Sequence, residues 1–189
     1  MATTKRDAII EAALTLFAEK GVDATSTREI TERAETAEGT LYRHFDGKDD
    51  LVRCLFEENA SRFHDVLARS ATPAQEPRER LQAMVRGIFD FAEEYPSAFA
   101  YLLSVHEGVL ARVDTSREPL PMQLFTKTLQ EGIASGVFRD VPPVLATGWI
   151  VGLAQRAIVL QTSDLVTASR EEVADRTVDA ALRLVDANG

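Results

Sequence analysis

The chain has 189 residues, 45% of them apolar, enough for one compact domain or for a small head on a larger body. Its single cysteine, Cys54, excludes an internal disulfide framework and a cysteine-based zinc site, and suits a reducing compartment. A net charge of −9 argues against strong non-specific attraction to nucleic acid. Asp7 and Glu11 interrupt any signal-peptide core in MATTKRDAIIEAAL, and the longest apolar run, Val144 to Ala154, is short for a bilayer span. A cytoplasmic protein with no membrane partner is expected.

Thr4 and Asp7 make a capping pair for a first helix over Thr4 to Lys20, with Ile9, Ala13, Leu16 and Phe17 as its buried stripe and Gly21 as its end. Lys5 and Arg6 stand at its start either as phosphate contacts or as solvated charges. Ser26 and Glu29 form a capping box, S-x-x-E, so a second helix begins at Thr27, with Ile30 and Ala34 on its inward edge. Glu35-Thr36-Ala37 separate it from a third helical run, Glu38 to Phe45. Asp46 and Asp49 repeat the capping pattern and restart the chain near Lys48. Two short helices joined by so short a turn have the spacing of a helix-turn-helix.

The third run carries unusual chemistry. Gly39, Thr40, Tyr42, Arg43 and His44 spread hydrogen-bonding groups over most of its surface, while Leu41 and Phe45 can pin it to a core. A solvated face is normally filled with Lys, Glu and Gln. Glycine costs a helix interior about 1 kcal/mol, which close approach to another surface would offset. The alternative is a small amphipathic helix whose polar face merely meets water.

A fourth helix follows from near Lys48 to about Ser70 on Leu51, Leu55, Phe56, Phe63, Val66 and Leu67; at 1.5 Å per residue it spans about 30 Å. ATPAQEP, Ala71 to Pro77, reads as a loop. The fifth helix takes Pro77 to Glu94, with Leu81, Met84, Val85, Ile88, Phe89 and Ala92 on one side, and Tyr95-Pro96 breaks it. The sixth runs to about Ala111 on Phe99, Leu102, Leu103, His106 and Leu110, and Arg112 to Pro121 read as a loop. The seventh takes Met122, Phe125, Leu129 and Ile133 and ends at Gly136. Val141-Pro142-Pro143 precede an eighth helix to about Ser163, and Ser169 with Glu172 caps a ninth to about Ala187. The expected fold is all-α, about nine helices, with an N-terminal helix-turn-helix head over residues 1–47 and a helical body over 48–189.

Catalytic chemistry finds no support. His44, His64 and His106 fall in different helices without ligand spacing, and no nucleophile elbow, phosphate-binding loop or paired-carboxylate motif stands out. No catalytic residue, metal or cofactor is expected. Cys54 reads as a small buried or half-buried side chain. Residues 1–50 hold seven Lys and Arg against eleven Asp and Glu, a net of −4, so the head is no more basic than the body.

G-T-L-Y-x-H-F over Gly39 to Phe45, followed by Lys48 and Leu51, resembles the recognition segment of TetR-type transcriptional regulators. AIIEAALTLFAEKGVDATSTREI, Ala8 to Ile30, is similar to the first helix and second-helix start of the same family. The resemblance covers about residues 4 to 55. The sequence departs from the family at Glu35, where a turn glycine is usual, at Ala37, where a capping serine is usual, and at Glu38, a position often basic or neutral.

What the resemblance implies is a third helix lying in the major groove of double-stranded DNA, with Gly39 and Thr40 at base edges and Arg28 bidentate on a guanine. Glu38 would accept from a cytosine amine or stand solvated; Thr27, Tyr42, His44 and Lys48 would hold phosphates; Arg43 would face groove or solvent. A homodimer on a pseudo-palindromic operator is implied as well. Leu145, Gly148, Trp149, Gly152 and Val159 on the eighth helix, with Ala174, Thr177, Val178, Ala181, Leu182 and Val185 on the ninth, either form its interface or complete the monomer's core. In the family the body holds an effector pocket; Phe63, Met84, Phe89, Phe99, His106, Met122 and Phe125 either line one or are plain core. The expected function is that of a DNA-binding regulator, read as a repressor, released from its operator by a small-molecule effector of unknown identity. The rival is a helical ligand-binding or protein-interaction module whose acidic head no longer reads DNA.

Overall fold

The computed structural model describes residues 4–104 and 120–187. Among them are nine helices and no strand: α1 Lys5–Lys20, α2 Thr27–Arg33, α3 Glu38–Tyr42, α4 Lys48–Ala71, α5 Pro77–Glu94, α6 Pro96–Ser104, α7 Pro121–Ala134, α8 Pro143–Thr162 and α9 Arg170–Val185. The all-α expectation holds. The expected extension of the sixth helix to Ala111, with His106 and Leu110, lies outside the described residues, as does most of the loop expected after it.

The starts of α1 and α2 are closed as their spacing predicts. Thr4 Oγ1 accepts from the Asp7 amide and the Thr4 amide donates to Asp7 Oδ2, both at 3.1 Å. Ser26 Oγ accepts from the Glu29 amide at 3.2 Å, and the Ser26 amide donates to Glu29 Oε2 at 2.9 Å. Ser169 Oγ likewise accepts from the Glu172 amide at the head of α9. Two starts differ from expectation. At α4 the reciprocal bond runs from the Asp46 amide to Asp50 Oδ2 at 3.0 Å, because Lys48 is the first helical residue and Asp50 therefore sits at the third position. At α7 Pro121 belongs to the helix, its fixed φ suiting the first turn, where its missing N–H has no partner to lose.

The chain divides into two compact units, Met1–Ala60 with Tyr95–Glu118, and Ser61–Glu94 with Pro119–Gly189. In the first, α1 packs on α2, α3 and α6. Ile9, Phe17, Ile30, Leu41, Leu51 and Leu55 are fully buried there, each side chain stabilising the unit by about 1.5–3 kcal/mol. Tyr101 of α6 is also fully buried. Its ring stacks on Phe17 at 5.9 Å and its hydroxyl donates to the Val52 carbonyl at 2.8 Å, while burial pushes the phenol above its usual range.

In the second unit α5 packs on α7, α8 and α9, and α8 on α7 and α9. Leu81, Val85, Ile88, Phe125, Ile150 and Val185 fill its centre, and Phe63 stacks on Phe91 at 4.5 Å. Arg170 pairs with Asp90 at 2.6 Å and Arg80 with Glu131 at 2.6 Å; Arg86 pairs with Asp175 and Arg78 with Asp186. Each such pair at a partly exposed site contributes about 0–1 kcal/mol. The chain leaving α7 turns at Gly136 and lays Phe138 back over Gly132, and the Arg139 amide then donates to the Val185 carbonyl at 2.8 Å.

The apolar stripe of α9 is consumed inside the unit. Ala174, Thr177, Val178, Ala181, Leu182 and Val185 are all buried, so of the two readings left open for them they complete the chain's own core. The face of α8 behaves differently: Val144, Leu145, Gly148, Trp149 and Gly152 are exposed and Val159 is half-buried. α8 is also longer and more evenly apolar than its central run suggested. By length and composition alone it would suffice to cross a membrane, at a mean hydropathy of 1.5. Ala146, Thr147, Ile150, Val151, Ala154 and Ile158 pack inside the unit.

A Cβ added at Gly132 would stand 2.1 Å from the Phe138 ring, which is itself buried. Gly132→Ala is therefore expected to destabilise the second unit by about 1–3 kcal/mol, read as a lower Tm by circular dichroism, with the paired change Phe138→Ala relieving the clash but leaving a cavity.

Candidate nucleic-acid interface

The surface that the sequence singles out lies wholly within the first unit, on α2, α3 and the turn between them. α3 is held by two apolar residues, Leu41 within it, fully buried, and Phe45 just past its end, nearly so. Arg6 covers the outer side of Phe45, its guanidinium 5.5 Å from the ring centroid, and pairs with Glu58 at 2.5 Å. Regular α3 ends at Tyr42, short of the expected Phe45, because the Arg43 and His44 amides bond three residues back, to Thr40 and Leu41. That tighter last turn swings Phe45 inward, where its own amide still bonds the Leu41 carbonyl at 2.9 Å.

The angle between α2 and α3 comes from a helix end of defined type. The Thr36 amide bonds the Thr31 carbonyl at 3.0 Å and the Glu35 amide bonds the Glu32 carbonyl at 3.2 Å, the paired bonds of a Schellman motif. Glu35 sits between them at φ 48°, a left-handed conformation that glycine adopts freely and an L side chain resists by about 1–2 kcal/mol. This is why the departure from glycine at this position is felt as strain and not as a change of fold. Lys5 Nζ donates to the Glu35 carbonyl at 3.3 Å and braces the turn. Ala37 gives α3 no side-chain cap.

With the apolar residues turned in, the rest of α3 faces out. Glu38, Gly39, Arg43 and His44 are exposed, Thr40 is half-buried, and Tyr42 leaves 55% of its surface to solvent. Gly39 is the telling residue. A Cβ there would meet nothing within 4 Å, and its φ is not one that requires glycine. The fold gains nothing from the missing side chain, so the space it leaves is available to a partner.

On α2, Thr27 is half-buried and Arg28 exposed, both beside that face. Arg28 Nε donates to Glu32 Oε1 at 2.8 Å, and Thr27 Oγ1 donates to Glu38 Oε1 at 3.3 Å. Glu32 escaped the sequence reading, although its place one turn after Arg28 on the same helix was the available signal. Lys48 Nζ donates to the Thr25 carbonyl at 2.8 Å and to the Asp23 carbonyl at 3.4 Å, leaving one of its three donors for any phosphate. Glu29, beside Ser26, has its carboxyl brought down to about 2 by Lys20 and by the Ser26 amide and hydroxyl, so it stays ionised and its capping bonds persist at neutral pH.

The residues expected to line an effector pocket scatter. Phe99 belongs to the first unit; Phe63, Met84, Phe89, Met122 and Phe125 belong to the second; His106 is outside the described residues. Met84 and Phe125 are buried in core, Met122 is exposed, and Phe89 borders a groove of about 260 Å³ with Ile158, Gln161 and Arg170. A groove of about 580 Å³ runs between α8 and α9 beside Leu153, Leu160, Val166 and Val173. Among the described residues no group of three or more His, Cys, Asp or Glu is placed to hold a metal ion.

Residues 9–55 match the family model described as bacterial regulatory proteins, tetR family. The chain is 27% identical over 144 residues to the HTH-type transcriptional repressor KstR2 of Mycobacterium tuberculosis, a match spanning 72% of this chain and 70% of that one. It is 31% identical over 108 residues to the biofilm operon icaADBC HTH-type negative transcriptional regulator IcaR of Staphylococcus epidermidis, spanning 57% and 58% of the two chains. In fold it is similar to a TetR family transcription regulator from Marinobacter aquaeolei, with a TM-score of 0.81 and 22% identity over 96% of this chain and 95% of that one.

Replacing Glu35 by glycine removes the left-handed strain while keeping both Schellman bonds. Glu35→Gly is expected to raise the stability of the head by about 1 kcal/mol, net of glycine's own entropy loss, visible as a higher urea midpoint at unchanged slope.

Proposed function

Because residues 9–55 match the tetR family of bacterial regulatory proteins, we propose that the chain is a cytoplasmic homodimeric repressor of that kind, which binds a pseudo-palindromic operator and is released by a small-molecule effector. The observation that carries the reading is the outward face of α3. An exposed glycine with open space over it, an exposed tyrosine and an exposed arginine and histidine occupy a short helix and the turn that ends it, held to the core through Leu41 and Phe45. In the major groove Gly39 lets the backbone approach the base edges, Thr40 meets a thymine methyl, and Arg28 presents its fork to a guanine. Tyr42, His44 and Thr27 hold phosphates and fix the register, and Lys48 adds its remaining donor.

Two heads are needed, since a head of net −4 gains little from counterion release. The exposed face of α8 supports the pairing. Leu145, Trp149 and Val144 are left in solvent, and at Gly148 and Gly152 an added Cβ would meet nothing within 4 Å. Two glycines inside one helix cost it about 2 kcal/mol, which a second copy of α8 packed closely against them offsets. With the α9 stripe already buried, α9 would offer that interface its polar side. The effector enters the helical body, and α4, whose 24 residues begin in the first unit and end in the second, carries the change to the head. This chain's own residues supply binding and positioning, with no chemical step.

Duplexes enriched by the protein from a random pool provide the test. A palindromic consensus is the expected result, and a chain that enriches nothing sinks the reading. Against the enriched duplex, Arg28→Ala and Tyr42→Ala are each expected to lose about 5- to 150-fold in affinity, the span of one good base or anchoring contact, with the circular dichroism spectrum unchanged. Gly39→Ala separates the fold from the function. It is expected to leave Tm equal or raised, by up to about 1 kcal/mol of helix propensity, while weakening the duplex complex.

A further inference from the structure

Two of the donors that would meet DNA are already in use. Arg28 lends its Nε–H to Glu32 across one turn of α2, and Thr27 lends its hydroxyl to Glu38, joining the first turn of α2 to the first residue of α3. Both acids are exposed, so packing does not ask for either of them. A pair this open contributes little to folding. Arg28 leaves 80% of its side chain in solvent, and Glu32 and Glu38 both act on its charge. Two carboxylates thus stand on the one surface where phosphates are to be brought close.

Resting on the reading of this head as a DNA reader, we propose that Glu38 is a specificity-determining acid, holding Thr27 until a matching base takes its place, and that Glu32, paired with Arg28, restrains binding to every duplex. Docking is then an exchange of partners and not a simple gain. Glu32 holds one of the five N–H donors of Arg28 and offsets its charge beside the phosphates, so it lowers affinity for all DNA alike. Glu38 acts selectively, because an ionised carboxylate can only accept hydrogen bonds. In the groove it is satisfied by the N4 amine of cytosine or the N6 amine of adenine, and repelled by the O6 and N7 of guanine, the O4 of thymine and every phosphate. When the operator presents a donor there, Glu38 leaves Thr27 for the base, and Thr27 is freed for the backbone. A duplex without that donor leaves Glu38 facing negative charge.

The test uses the full-length chain and the duplex it selects from a random pool, beside a scrambled duplex, over a range of salt. Glu32→Gln is expected to tighten both complexes about three- to tenfold and to steepen the salt dependence, and the gain is expected to vanish in the Arg28→Ala background. Glu38→Gln is expected to tighten the scrambled complex only, so that the selected-to-scrambled ratio falls about tenfold and the preference for a donor base at one position is lost. Circular dichroism checks that each variant keeps its fold. A Glu32→Gln gain that persists without Arg28, or a ratio that Glu38→Gln leaves untouched, overturns the inference while the wild-type operator complex stands. A wild-type chain that enriches no sequence overturns the DNA-reading function itself, and this inference with it.

Discussion

The burial of Leu41 and Phe45 fixes what the first unit can do. These two side chains, four residues apart, take the inner side of α3, and every other residue from Glu38 to His44 is thereby aimed outward or held at the rim. A helix of five residues has no stability of its own in water. It exists because its two anchors join a core that α1 and α2 also enter through Phe17 and Ile30, and that α6 closes through Tyr101. Position and composition of the exposed face are consequently independent. The core sets where α3 stands, and the residues on its outer side can change without cost to the fold.

Electrostatics pulls the other way. A protein whose partner is a polyanion is expected to be basic, and this head is not. Several of its cations are tied within the unit: Arg6 to Glu58, Arg33 to Glu19, Lys20 to Glu29, Arg28 to Glu32, and Lys48 to two carbonyls. These pairs are mostly exposed and individually weak. Their combined effect is on the field outside the molecule, which they flatten, and recognition is left to placed contacts more than to bulk attraction.

Much of the fold was legible because its signals are local. Capping boxes at Thr4 and Ser26, the prolines that open α5, α6, α7 and α8, and the helical spacing of apolar residues are written within a few positions of one another. The outer face of α3 was legible for the same reason. What was not legible depends on partners distant in sequence. That the α9 stripe is spent on the chain's own core while the α8 face is left open follows from how α9 lies on α5 and α8, and both stripes look alike in one dimension. Lys48 reads as a free cation beside a helix start until the Asp23 and Thr25 carbonyls are brought under it. The body's aromatic residues, from Phe63 to Phe125, read equally as lining or as filling, since pattern alone carries no information about empty space.

The ion pair on α2 has a kinetic side. Regulators that cling to any duplex find their sites by long one-dimensional scans and spend much of their time parked on irrelevant sequence. On the function proposed above, Arg28 engaged to Glu32 and the head's surplus acid would keep such excursions short. The search would then proceed through repeated arrivals from solution, with few copies held on other sequence.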